Sequence, residues 1–199
     1  MKNNSTTPVS IKVIAGSTRE GRFSDKAAAW IAERLRAREG VAAEVLDLRD
    51  YPMPFFDAPV SPAYTVEPYT NEAVARFTAK IAEGDAFLIV APEYNHGPTA
   101  VLKNALDWIY REWNNKPVAF VSYGSVGGAR AVEQLRLVAI ELQMAPIRLG
   151  VNFPGEKYFP VAFGKAPAAE LFSAYTEAAD EMIAQLLWWA EALNTARGK

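Results

Sequence analysis

Apolar positions along the chain change period again and again. The run Ser10-Ile-Lys-Val-Ile-Ala15 predicts a first strand over 10–15. Residues 24–38 carry Ala27, Ile31 and Leu35 at helical spacing. A second, more polar strand is expected over 43–48, followed by a helix over 71–82 on which Val74, Phe77 and Ile81 share a face. The uninterrupted apolar run Ala86-Phe-Leu-Ile-Val-Ala91 predicts a strand buried on both faces. Further elements are expected as a helix over 99–111, a strand over 117–122, a helix over 128–143 with Val132, Leu135, Val138 and Leu142 inward, and a strand over 146–151. A last helix is expected over about 168–196, with the stripe Leu171, Tyr175, Ala178, Met182, Leu186, Trp189 and Leu193 on the sheet and Trp188 off it. Strict β/α alternation argues for an α/β fold with a parallel sheet and right-handed crossovers. Five strands with helices on both faces make a doubly wound sheet. The domain is expected over 10–199, with residues 1–9 as a flexible polar segment.

Residues 49–69 break the rhythm. Pro52, Pro54, Pro59, Pro62 and Pro68 alternate there with Tyr51, Phe55, Phe56, Tyr64 and Tyr69. Loops this long without secondary structure are usually functional or disordered, and aromatics argue against disorder. The expectation is an ordered loop beside a ligand crevice, at a subunit contact, or packed on its own domain.

Composition narrows the chemistry. With 199 residues, half of them apolar, the chain can bury one sizeable core. A net charge of −2 with interspersed signs gives no footprint for nucleic acid. There is no cysteine, so disulfides and thiol chemistry are excluded, and the lone His96 makes a histidine metal site improbable. No apolar run reaches the roughly 20 residues of a membrane helix, and the polar start lacks a signal-peptide core. The expectation is a cytoplasmic protein without membrane insertion.

Three strand-to-helix connections concentrate polar groups. Such connections, beyond the carboxyl ends of parallel strands, are where open α/β sheets bind ligands. The first, Gly16-Ser-Thr-Arg-Glu-Gly-Arg-Phe-Ser24, offers hydroxyls, Arg19 and Arg22 at a helix start, a setting for phosphate. Ser24 is also the expected helix cap. Gly16 and Gly21 have P-loop spacing, but Arg22 and Phe23 replace its Lys and Ser/Thr, and no G-x-G-x-x-G is present. A terminal phosphate bound without metal fits best. The second, Ala91-Pro-Glu-Tyr-Asn-His-Gly97, offers the flat Tyr94 and His96 and the donor–acceptor Asn95. The third, Ser122-Tyr-Gly-Ser-Val-Gly-Gly128, frees backbone N–H groups at another helix start. Together they describe an elongated ligand, phosphate at one end and a planar heterocycle at the other. Flavin mononucleotide has that shape.

Gly16-Ser-Thr-Arg19 with Ser24, Pro92-Glu-Tyr-Asn95 with Gly97, Leu102-Lys-Asn-Ala-Leu-Asp107, Arg49-Asp-Tyr-Pro-Met-Pro54 and Tyr123-Gly-Ser with Gly127-Gly128 resemble the NADPH-dependent FMN reductase family over roughly residues 10–190. That resemblance implies a flavodoxin-like three-layer sandwich with strand order 2-1-3-4-5. It implies FMN as cofactor and NADPH or NADH as donor, with two electrons passing in a ping-pong sequence to flavin, quinone, azo-dye or chromate acceptors. It implies that Ser17, Arg19 and Ser24, with Arg22 joining them, hold the phosphate. Pro92, Glu93, Tyr94, Asn95 and Gly97 would line the ribityl chain and ring. Ser122, Gly124, Gly127 and Gly128 would meet the pyrimidine end. No protein side chain is required as a catalytic acid; His96 is a subsidiary candidate proton donor. The chain departs from the family pattern at His96-Gly97-Pro98, where acceptor choice is expected to lie. A homodimer or homotetramer is implied, with Trp108, Tyr110 and Trp113 as candidate contacts. The rivals are a flavodoxin-like electron carrier, against which the near-neutral charge and the Arg-bearing first loop argue, and a non-redox regulatory module.

Overall fold

The computed structural model describes residues 7–199, so most of the expected flexible segment 1–9 lies outside the described residues; Val9 already belongs to a strand. Five strands form one parallel sheet in the order β2-β1-β3-β4-β5: β1 (Val9–Ala15), β2 (Val41–Asp47), β3 (Ala86–Pro92), β4 (Pro117–Gly124) and β5 (Ala145–Pro154). The expected order is therefore met. β3 and β4 are buried along their whole length, as their unbroken apolar runs require, while the edge strands β2 and β5 mix buried and open positions.

Helices cover both faces. On one lie α1 (Ser24–Arg36), α5 (Gly155–Ala162), α6 (Ala168–Ala174) and α7 (Thr176–Ala196), packed on Val13, Leu88, Val121 and Val151. On the other lie α2 (Glu72–Glu83), α3 (Ala100–Asp107) and α4 (Ala129–Glu141), packed on Ile14, Ile89 and Phe120. The register sets the carboxyl ends at one level: Ala15 lies opposite Asp47 on one side and Val90 on the other, and Pro92 opposite Tyr123. The three polar connections thus open onto the same edge.

Three expectations change. The helix over 128–143 is α4, but the helix over 99–111 stops at Asp107, and a 3-10 turn at Arg111–Trp113 follows. That turn drives Trp113 between Phe77 and Phe87, where it is fully buried. The helix over 168–196 is broken at Tyr175, which leaves helical backbone at φ −112°, ψ 11°. The break resets the phase: the buried stripe of α7 is Ala179, Met182, Ile183, Leu186 and Ala190, and Ala178 and Trp189 face solvent. Finally, α5 forms over a stretch with Gly155 and Pro160 that gave no helical signal. Its side chains Tyr158 and Val161 anchor it through Phe23 and the core around it, so packing outweighs propensity.

Loop 49–69 is ordered against α3. Asn104 accepts from the Phe56 N–H (2.9 Å) and donates to the Pro54 carbonyl (2.8 Å), to which the Trp108 indole also donates (2.8 Å). Phe56 and Tyr69 meet Trp108 edge-on. Trp108 and Trp113 are therefore core residues, not subunit contacts, and the Tyr110 hydroxyl accepts from Gln143 within the same chain.

Candidate functional site

The first connection leaves β1 pressed against its neighbour. A Cβ on Gly16 would lie 2.6 Å from the Val90 carbonyl oxygen and 3.1 Å from Leu102, so no side chain fits there. The chain then turns outward as Ser17, Thr18 and Arg19. Ser17 is buried, and its Oγ lies 3.0 Å from the Tyr94 hydroxyl of the second connection. The exposed Arg19 guanidinium sits over the Tyr94 ring, 5.5 Å from its centroid, and that contact raises the Arg19 pKa. Thr99 caps α3 by accepting from the Leu102 N–H (3.2 Å) and donates to the Gly16 carbonyl (2.6 Å). Ser17, Thr18, Arg19, Tyr94 and Thr99 line a crevice of about 360 Å³, with Met53 and Phe55 of loop 49–69 as its apolar wall and Asn104 beneath.

The second connection is a two-residue hairpin. Tyr94 and Gly97 exchange backbone hydrogen bonds of 2.9 and 3.1 Å around Asn95 (φ 50°) and His96 (φ 70°). Two successive left-handed residues define a type I′ turn. Asn and His enter this conformation more often than most side chains do, though still at a cost relative to glycine. Both side chains are exposed, and the His96 carbonyl accepts from Gln134 of α4 (2.7 Å).

The third connection is tied to the second by Glu93. Its buried carboxylate accepts from the Arg130 guanidinium (2.7 Å) and from the Arg130 N–H (3.1 Å), in the first turn of α4. The Glu93 N–H donates to the Tyr123 carbonyl (2.9 Å). Gly127 and Gly128 are both left-handed (φ 74° and 78°), and a Cβ on Gly128 would lie 2.7 Å from that of Ser122. Ser122 is fully buried: its Oγ donates to the Gly127 carbonyl (2.6 Å) and lies 2.7 Å from the Asn152 side-chain oxygen. Gly124 packs on Glu93. The chain thus brings all three connections together, but Glu93 and Ser122 brace them from inside, and the glycines do not line the crevice itself.

Two further expectations are not met. Arg22 does not face the crevice: its side chain is 2% exposed and forms a two-pronged pair with Asp47, a bond to Asp25 and a bond to the Ser17 carbonyl. Burial opposes its charge, but the two carboxylates outweigh this and raise its pKa. Ser24 does not cap α1, where Phe23 holds the cap position with no side-chain bond; the Ser24 hydroxyl is buried against the Tyr123 hydroxyl at 2.6 Å. Burial pushes the Tyr123 phenol up. Tyr123, Met53, Phe55, Thr99 and Asn104 were not among the site residues read from sequence. Their one signal there was membership of the proline–aromatic loop and of the motif runs around Asn104 and Tyr123.

The family model described as NADPH-dependent FMN reductase matches residues 9–157. The chain is 39% identical over 149 residues to an NAD(P)H-dependent FMN reductase of Schizosaccharomyces pombe, covering 74% of either chain. It is 34% identical over 143 residues to a 2-hydroxy-1,4-benzoquinone reductase of a Burkholderia species, covering 67% of this chain and 72% of that one. Among solved structures, the flavoenzyme NAD(P)H:(acceptor) oxidoreductase FerB of Paracoccus denitrificans superposes with a TM-score of 0.66 at 21% identity, over 89% of this chain and 97% of that one, a likeness of fold. With a matching fold, and with motifs that converge on one edge of the sheet, the chain belongs to the NADPH-dependent FMN reductase family.

Proposed function

We propose that this family member binds FMN in the crevice beside Tyr94 and reduces quinone-type acceptors with NAD(P)H. The donor set fits the group: hydroxyls, a free guanidinium and backbone N–H groups at one end, aromatic and apolar walls at the other. Bound there, FMN would supply two-electron transfer between NAD(P)H and the acceptor. Ser17 and Arg19 would hold the phosphate, Arg19 through charge-assisted hydrogen bonds. Tyr94 and Pro92 would flank the ligand, and the hairpin Asn95–Gly97 would border it. The Gly127 N–H already donates to the Gly124 carbonyl (3.0 Å), so it is the Gly128 N–H and the start of α4 that would favour negative charge on a ring edge brought near them. Ser24, Ser122 and Glu93 would act by holding these groups in place.

The observation that carries the reading is Arg19 and Ser17 meeting Tyr94 in one open crevice at the carboxyl edge of the sheet. The apolar wall of Met53 and Phe55 favours a quinone over chromate as acceptor. A ping-pong order follows if donor and acceptor use the same open face in turn. Flavin absorbance in the purified protein, then NADPH and NADH oxidation against a quinone, free FMN, an azo dye and chromate, tests the reading. Parallel double-reciprocal lines would support the ping-pong order and intersecting lines would overturn it. A protein that stays colourless after incubation with FMN would overturn the assignment as a whole.

We further infer a homodimer or homotetramer. Leu137 and Ile140 on α4 are more than 60% exposed, as is Trp188 on the opposite face of the sheet on α7, apolar side chains that self-association would cover. Sizing at micromolar concentration tests this, and a monomer there would refute it.

A further inference from the structure

The side chains that shape the phosphate end do not all face it. Four successive carbonyls of the first connection are each held from behind by a side-chain donor. Gly16 is held by Thr99, Ser17 by Arg22, Thr18 by the Arg49 Nε (3.2 Å) and Arg19 by the Arg49 Nη2. Asp47, at the end of β2, connects the two arginines. Its carboxylate takes both prongs of Arg22 (Nη1 at 2.9 Å) and the Arg49 N–H (2.9 Å). The β1–β2 register, with Ala15 opposite Asp47, sets that carboxylate directly behind the connection.

A peptide plane whose carbonyl is fixed on one side presents the next N–H on the other. Among the described residues none accepts from the Ser17, Thr18 or Glu20 N–H, and the Arg19 N–H donates to the Ser17 Oγ at 3.4 Å. Successive N–H groups presented this way make an anion-binding concavity. We propose that Arg22, Asp47 and Arg49 are positioning residues: they hold the backbone of residues 16–19 as a preformed phosphate cradle without touching the phosphate. The proposal rests on the FMN reading of the crevice. It gives Arg22 a role other than the ligand role expected from sequence, and it adds Asp47 and Arg49, which are not among the site residues expected from sequence.

Arg22 and Asp47 are too deeply built in for a clean test, since their variants risk misfolding. Arg49 is exposed. The full-length chain, freed of flavin, is titrated with FMN and with riboflavin, which lacks the phosphate, for the parent, Arg49→Ala and Arg49→Lys. In R49A, FMN affinity is expected to fall about ten-fold, the scale of one or two charge-assisted hydrogen bonds, while riboflavin affinity stays within two-fold. R49K keeps the charge but lacks the fork that spans two carbonyls, so it should behave like R49A. Hydrogen exchange of the flavin-free protein over residues 16–24 should quicken in both variants. Unchanged FMN affinity in R49A, or full affinity in R49K, overturns the brace. If the parent binds neither flavin, the FMN reading fails on its own. Exchange then still decides the brace, because unchanged rates in R49A overturn it.

Discussion

The two ends of the sheet are both rich in charge, but they use it in opposite ways. At the amino end the charges close on one another. Lys12, nearly buried within β1, meets Glu44 at 2.5 Å and Glu83 at 2.7 Å, and Lys80 joins the same two carboxylates. Asp85 gathers the Ser10 N–H (3.0 Å), Lys199 (2.8 Å) and Arg197 (3.5 Å), which fastens the end of the chain to the start of β3. At the carboxyl end Arg22 is closed in the same fashion, but Arg49 donates to backbone carbonyls and Arg19 stays open over Tyr94. A charge that is fully partnered stabilises the fold. A charge left open above a braced backbone is available to a ligand. Density of charge does not distinguish the two; the partners do.

Removing Asp85 should break the amino end most severely. Asp85→Ala leaves the Ser10 N–H unpaired and takes the carboxylate away from Lys199 and from Arg197, which keeps its bonds to Asn115 and Asn194, a cost of about 3 kcal/mol. For a chain of this size that lowers Tm by roughly 6–12 °C. FMN affinity at low temperature should not change, and a thermal melt beside an FMN titration checks both halves. Acid gives the same contrast. Burial raises the Asp85 pKa, but the bonds from Lys199 and Ser10 outweigh this and leave it lowered. A carboxyl whose folded pKa is depressed contributes stability above its unfolded pKa of about 4 and loses it as pH falls through the folded value. The stability gap between parent and D85A, read by urea unfolding, should therefore be full at pH 6 and narrow steadily below pH 4. A gap constant down to pH 2 would mean that the carboxylate is not the stabilising element.

Arg19→Ala is the matching change at the carboxyl end, with the opposite split. Losing the open Arg19 guanidinium should weaken FMN binding by about 2 kcal/mol, roughly thirty-fold. Because Arg19 is exposed and the described contact of its side chain is with Tyr94, Tm should move by less than about 2 °C. Unchanged FMN affinity, or a large loss of Tm, would place Arg19 with the structural charges instead.

The sequence was most legible where burial imposes a simple pattern. The unbroken apolar runs of β3 and β4 and the helical spacing of Val74, Phe77 and Ile81 each predict an element that exists, because each reports burial directly. Legibility failed where tertiary packing overrides local signals. Tyr175 breaks one long periodic stretch, and Pro160 sits inside a helix that Tyr158 and Val161 hold down. In the site, residue types identified the three connections and their likeness to a family. They did not reveal direction. Arg22 and Arg19 are three positions apart in one motif, yet one is buried against Asp47 and the other stands open, a difference set by a carboxylate on a neighbouring strand. Long-range pairing of that kind leaves no trace in local spacing.

The smallest effect concerns strain. At the amino end the left-handed Asn115 and Gln143 precede strands β4 and β5 and are paired with each other, the Asn115 N–H donating to the Gln143 carbonyl at 2.8 Å. At the carboxyl end His96 is left-handed at an exposed hairpin tip, with its carbonyl held only by Gln134. A non-glycine residue in that conformation costs about 1–2 kcal/mol, and glycine returns part of the gain through its freer unfolded chain. His96→Gly should therefore stabilise the protein by about 0.5–1 kcal/mol, a rise of roughly 1–4 °C in Tm. The turn itself should persist, because Gly suits both central positions of a type I′ hairpin. If the imidazole serves the acceptor, the same variant should lose kcat toward a quinone while oxidising NADPH to reduce free flavin as before. A gain in stability with no change toward any acceptor would leave His96 as a tolerated strain and move acceptor choice to the apolar wall of Met53 and Phe55.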